Sequence, residues 1–183
     1  MTFERVLRVF GTFSMIGGLL IIFIQPWLQL DPQSFIAAYF YLLAFIFIAI
    51  GITGHYLVQY KEIGGFGFFS FLLLSAGLYL WIGYHWFLTF VYPDIYKSVP
   101  NAASIVLQSM DYGKKLALYT MLPSILLFSG LSMWKGILSR WSTAMLVLTP
   151  FMIFIPYGLM AAHLLGGISL IWSGITLCKI QKP

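Results

Sequence analysis

Five long apolar stretches constrain the fold of this chain more than any other feature of its sequence. A helix needs about 20 residues to cross the hydrocarbon core of a bilayer. The last stretch, 141–178, is nearly twice that long, and Pro156-Tyr157-Gly158 divides it in two. The sequence therefore predicts about six transmembrane helices, at about 9–27, 34–58, 65–88, 115–134, 141–156 and 158–178.

The charge content agrees with this reading. Charged residues make up 8% of the 183 residues and hydrophobic residues 61%, whereas soluble domains are roughly 25% charged. So few charges cannot cover a soluble surface, and the predicted fold class is an all-α integral membrane protein with one domain, 1–183. No Asp, Glu, Lys or Arg lies in the interior of a predicted span, and Lys115 is the first residue of the fourth. Because ion-coupled carriers and intramembrane enzymes usually carry a buried charge, both classes are disfavoured.

Basic residues predict the orientation, since cytoplasmic segments are enriched in Lys and Arg. One side would hold Arg5, Arg8, Lys61, Lys135, Arg140, Lys179 and Lys182, and the other Lys97, Lys114 and Lys115. Seven against three places both termini in the cytoplasm, in a multi-pass protein of the cell membrane. A short chain with few loops favours a bacterial cytoplasmic membrane. Without the break at Pro156 there would be five spans, and the carboxyl terminus would lie outside.

The one sizeable loop, 92–114, is predicted to face outward. Within it, Pro100 and Gly113 are typical of the beginning and end of a helix. We expect a short interfacial helix there, either capping the bundle or acting as a spacer on the membrane surface.

Polar and aromatic side chains near the outer ends of the spans are the candidate ligand-binding residues. His85 and His163 are expected to approach each other there, and they could ligate a metal or haem or simply make interfacial hydrogen bonds. The lack of a His-x-x-x-His spacing, and of a thiolate or carboxylate beside them, favours the second reading. We therefore predict no catalytic residues, no metal and no cofactor. The full candidate set is Gln25, Tyr84, His85, Trp86, Tyr157 and His163.

Small residues recur along one side of the first and last spans. Such ridges let helices approach closely in lipid, either inside a bundle or between two copies of a chain. The predicted helix-packing residues are Ser14, Gly18, Gly158, Ala162, Gly166 and Gly174.

Three functions remain open at this point. The first is binding or permeation of a small molecule without an energy source of its own. The second is a non-catalytic accessory, regulatory or immunity-type subunit with a membrane partner or a second copy. The third is a redox protein that uses His85 and His163. The scattered basic residues do not form a nucleic-acid-binding stripe. In size and layout the chain resembles, in general terms, the substrate-binding membrane subunits of energy-coupling-factor importers and some small solute channels, although the motifs of neither family can be placed.

Overall fold

A computed structural model describes residues 2–180, and these residues form helices and turns without a β-strand. Four helical stretches are long and apolar enough to cross a membrane, namely Phe3–Leu30, Phe35–Ser98, Pro100–Lys135 and Gly158–Lys179. The prediction of an all-helical chain of membrane-type helices is confirmed to that extent. The elements are α1 (Phe3–Leu30), α2 (Phe35–Trp86), a π-helical segment (Phe87–Val91), α3 (Tyr92–Ser98), α4 (Pro100–Lys135), α5 (Arg140–Met152) and α6 (Gly158–Lys179).

Helix α2 reverses direction at Gly64, the one residue within it with a non-helical backbone (φ 60°, ψ −157°). The ring of Tyr56 stacks on that of Phe71 with centroids 4.3 Å apart, although a straight helix would separate these residues by about 22 Å. Farther along, the rings of Phe45 and Trp81 lie 6.0 Å apart. Helix α2 is therefore a hairpin with a first arm, 35–63, and a second arm, 65–86.

The helix predicted to begin at Pro100 and end before Gly113 is not a separate element, and the short helix in the 92–114 loop is α3. Helix α4 is continuous over 36 residues, from Pro100 to Lys135, and Gly113 lies inside it. A glycine in a helix interior costs only about 1 kcal/mol, which is less than stopping one helix and nucleating another. None of the described side chains between Tyr92 and Leu116 is buried. Helix α3 and the first part of α4 therefore form an exposed helical hairpin, 92–116, beyond the packed bundle.

Helix α5 ends at Met152, four residues before the predicted end of its span at 156. Pro150 lies in its last turn and cannot donate a backbone hydrogen bond, which favours an early end. A turn then leads to Tyr157, which has a left-handed backbone (φ 60°), and α6 begins at Gly158. The two helices are joined by a reciprocal pair of bonds: Ser142 Oγ donates to Ser169 O (3.0 Å), and Ser169 Oγ donates to Ser142 O (2.7 Å).

The helices close into a ring. Contacts run from α1 to α2, from α2 to α4, from α4 to α5, from α5 to α6, and from α6 back to α1. Helix α1 meets α6 through glycines at two levels: a Cβ added to Gly18 would lie 2.6 Å from Gly167 O, and one added to Gly11 would lie 2.7 Å from Gly174 O. Glycine is therefore required at both levels for the two backbones to touch. One end of the ring carries His163 and the other Gly64, and we call them the His163 end and the Gly64 end.

Candidate binding cavity

The ring encloses a central cavity of about 120 Å³ that is partly open at the surface of the bundle. Its wall is almost entirely hydrocarbon, contributed by all five helices of the ring. The lining residues are Ile21 of α1; Phe45, Ile48, Ile52, Leu74, Leu78 and Trp81 of α2; Leu118, Met121, Leu122 and Ile125 of α4; Leu146 and Thr149 of α5, with Ile153 just after it; and Leu159, Ala162, His163, Gly166, Gly167 and Leu170 of α6.

Small residues on α6 leave part of this space open. A Cβ added to Gly166 would meet only Thr149, at an ordinary contact distance of 3.6 Å. Ala162 lines the same wall and is buried. These two members of the predicted helix-packing ridge therefore border the cavity, where a larger side chain would fill it.

The other members of the predicted ridge lie at backbone contacts. Gly18 and Gly174 form the α1–α6 contacts described above, and Ser14 packs against Gly51, where an added Cβ would lie 2.7 Å from the serine Cα. Gly158 lies so close to Met152 O that a Cβ would overlap it. Each of these positions requires a small residue because main chain lies opposite it.

At the His163 end a hydrogen-bonded histidine borders the cavity. The Nδ1 atom of His163 lies 2.6 Å from Leu159 O, and Nε2 lies 2.9 Å from the hydroxyl of Tyr41. A carbonyl can only accept, so Nδ1 carries the proton and Nε2 accepts from the Tyr41 O–H. Both ring nitrogens are thus occupied, and His163 presents ring carbon to the cavity.

His85 lies behind this pair, inside an aromatic cluster. Its ring centroid is 4.8 Å from that of Tyr41, 4.7 Å from that of Trp81 and 5.1 Å from that of Tyr84. The Nε2 of His85 is buried without a hydrogen-bond partner in the described chain. The structure therefore brings the rings of His85 and His163 into contact with the same residue, Tyr41. Among residues 2–180, no three His, Cys, Asp or Glu side chains are grouped as metal ligands.

The six candidate residues are dispersed. His163 lines the cavity, and Tyr84 and His85 belong to the aromatic cluster behind it. Gln25 is buried in α1, outside the cavity wall. Trp86 is 51% exposed and Tyr157 is 89% exposed, so both point away from the interior.

Sequence reasoning missed Tyr41 and most of the aliphatic wall. A pattern for one strip of that wall was present, because Phe45, Ile48 and Ile52 follow Tyr41 at the spacing of a single helix face. Nothing in the sequence shows that this helix face lines a cavity.

Toward the Gly64 end the interior becomes polar. Ser14 Oγ donates to Leu170 O (2.8 Å) and lies 3.2 Å from His55 Nε2, so Nε2 carries a proton and donates to Ser14. The Nε2 amide of Gln59 donates to Ser132 Oγ (2.7 Å). Serines, Thr143 and His55 line a small space of about 10 Å³ there, and Leu146 borders both this space and the cavity.

No protein-family model, no curated protein and no solved structure matches this chain.

Proposed function

We propose that this chain is a multi-pass membrane protein that binds a small apolar molecule in its central cavity. The observation that carries the proposal is the hydrocarbon wall. The polar atoms of His163 are engaged by Tyr41 and Leu159, and the hydroxyl of Thr149 donates to Met145 O (3.1 Å). A polar ligand would lose its own hydrogen bonds in such a space, whereas an apolar one would restore the dispersion contacts that an empty cavity forfeits.

The volume limits the size of the ligand. An engineered cavity of roughly 150 Å³ lined by aliphatic and aromatic residues binds benzene. A cavity of about 120 Å³ therefore accommodates about six carbon atoms. A longer molecule would extend through the partly open side of the bundle.

The proposed topology has six crossings of a bacterial cytoplasmic membrane, with both termini in the cytoplasm. The two arms of α2 count as two crossings, and α1, α4, α5 and α6 count as one crossing each. At 13 residues, or about 20 Å, α5 would cross only with the help of the turn that follows it. Six of the seven basic residues assigned to the inner side are described, and Lys182 lies outside the described residues. Cysteine labelling from either side of sealed vesicles, at Gly65 and at Asn101, tests the assignment.

A ligand-stabilisation experiment tests the binding proposal. Purified protein in detergent is heated with benzene or hexane at a fixed activity. A probe at a hundred times its Kd stabilises the folded state by about 2.7 kcal/mol, which is a rise in Tm of roughly 5–10 °C for a chain of this size. A wild-type protein that melts at the same temperature with and without every probe would overturn the proposal.

Two leucine variants supply the matched comparison. Gly166→Leu fills the cavity from α6, so the protein should lose its response to the probes. Gly130 lies on α4 outside the cavity wall, and a Cβ there meets no atom within 4 Å, so Gly130→Leu should respond as the wild type does. Equal responses from the two variants would place the bound probe elsewhere.

A second candidate function, an accessory subunit, is favoured by the exposed helical hairpin. Tyr96 is 59% exposed there, Ile105 67% and Tyr112 69%, and this apolar surface lies outside the packed bundle. Affinity purification from native membranes in mild detergent tests the idea. A stoichiometric partner lost in Ile105→Ser but retained in Tyr119→Ser, at a 73% exposed site of α4 beside the bundle, would support it. Purification without a partner would exclude it.

A further inference from the structure

A lysine stands one helical turn beyond the cavity wall at the His163 end. Leu118 is the first residue of α4 to line the cavity, and Lys114 precedes it by four residues. Side chains at this spacing lie on the same face of a helix. Lys114 therefore lies about 6 Å farther along the face of α4 that lines the cavity. The apolar part of that face is thus followed by a cationic group.

Lys114 differs from its neighbour in having no close anionic partner. In the described chain the salt bridge at this position joins Lys115 Nζ to Asp111 Oδ2 at 2.6 Å. Lys114 is half-buried and lies within electrostatic range of both His85 and Asp111. Two lysines against one aspartate leave a local charge of one positive unit at this end of α4. A half-buried ammonium group beside an apolar cavity, without a salt bridge of its own, matches a molecule with an apolar chain and an anionic end.

We propose that the occupant of the cavity is a single-chain carboxylate, such as a medium-chain fatty acid, with its carboxylate at Lys114. This inference rests on the proposed apolar ligand and adds its head group. About six carbon atoms of the chain fill the cavity, and the remainder reaches past Leu118 to the lysine. A carboxylate is the better match than a phosphate monoester, because one negative unit balances the local excess.

Three eight-carbon probes distinguish the contribution of the apolar hydrocarbon chain to binding from that of the head group. Octane, 1-octanol and octanoate are each titrated into the purified full-length protein at pH 8, where the carboxylate is ionised, and binding is followed by thermal stabilisation. We expect octanoate to bind the wild type more tightly than octanol. Lys114→Gln should weaken octanoate binding about fivefold and leave octanol binding unchanged.

Two further variants control for charge. Lys97→Gln removes the same charge from an exposed site on α3, away from the cavity, and should change neither affinity. Asp111→Asn removes the nearby negative charge and should strengthen octanoate binding while leaving octanol binding unchanged. Raised salt should reduce the preference for octanoate, since exposed charges are screened.

The outcomes of this experiment are distinct. If octane and octanol bind but octanoate binds no more tightly, or if Lys114→Gln weakens octanoate and octanol equally, the head-group inference is overturned and the cavity proposal stands. If none of the three probes binds the wild type, the proposed function itself fails.

Discussion

Replacing Gly64 by alanine should destabilise the protein through backbone strain alone. With φ at 60° and ψ at −157°, Gly64 occupies a region of conformational space that is essentially restricted to glycine, where other residues cost about 1–3 kcal/mol. A Cβ added there meets no atom within 4 Å, so there is no steric clash to add. Gly65 offers the same open space but is helical, and Gly65→Ala should stabilise the helix by about 1 kcal/mol. The two alanine variants should therefore differ by about 2–4 kcal/mol.

Thermal unfolding in detergent, followed by far-ultraviolet circular dichroism, measures this difference. For a chain of this size, Gly64→Ala should melt roughly 4–16 °C below Gly65→Ala. The two variants have the same composition and differ in one position, so effects of the detergent cancel. Equal stability within about 0.5 kcal/mol would show that alanine is not strained at position 64, and would refute the positive-φ backbone through which α2 reverses.

Three further variants test the packing of the interior. Gly18→Ala should cost about 1–3 kcal/mol, since its Cβ would lie 2.6 Å from a backbone carbonyl of α6. Ser14→Ala should cost about 2 kcal/mol, because it removes two bonds and leaves His55 Nε2 without an acceptor. Tyr41→Phe should cost about 1 kcal/mol by removing the donor to His163, and it should leave the affinity for octane unchanged. Unfolding free energies in detergent, and the octane titration, check all three.

Each of these variants has a matched control. Gly130→Ala adds a methyl group to a helix with open space around it and should stabilise the protein slightly. Ser124→Ala removes a buried hydroxyl whose hydrogen bond lies within its own helix, to Thr120 O. It should therefore cost less than Ser14→Ala. Tyr39→Phe removes a hydroxyl from a 40% exposed side chain and should be neutral. Any control that destabilises as much as its partner would contradict the corresponding contact.

The sequence predicted helices wherever a long apolar run made them necessary, as in α1 and α6. It was less informative where a local pattern competed with helix propagation. Pro100 and Gly113 looked like the boundaries of a short helix, yet α4 continues through the glycine to Lys135. Whether the helix continues depends on a small difference in free energy, between the cost of one glycine inside a helix and the cost of ending it and nucleating another.

The cavity could not be predicted because no local pattern encodes it. Its wall takes side chains from five helices, and the open space depends on the absence of side-chain volume at Ala162 and Gly166. The expected approach of His85 to His163 relied on their depth in the membrane alone. In the structure both rings contact Tyr41, and His85 reaches it because α2 reverses at Gly64, 23 residues after Tyr41.

The contact between α1 and α6 has a consequence for biosynthesis. Ser14 bonds a carbonyl 156 residues farther along the chain, and Gly11 and Gly18 of α1 face α6. At ribosomal rates this interval corresponds to roughly 8–30 s. During that time Gly11 and Gly18 lack the helix that they contact in the folded protein. The ring of helices therefore closes only after α6 has been synthesised, and a chain that stops after α5 leaves α1 without this partner.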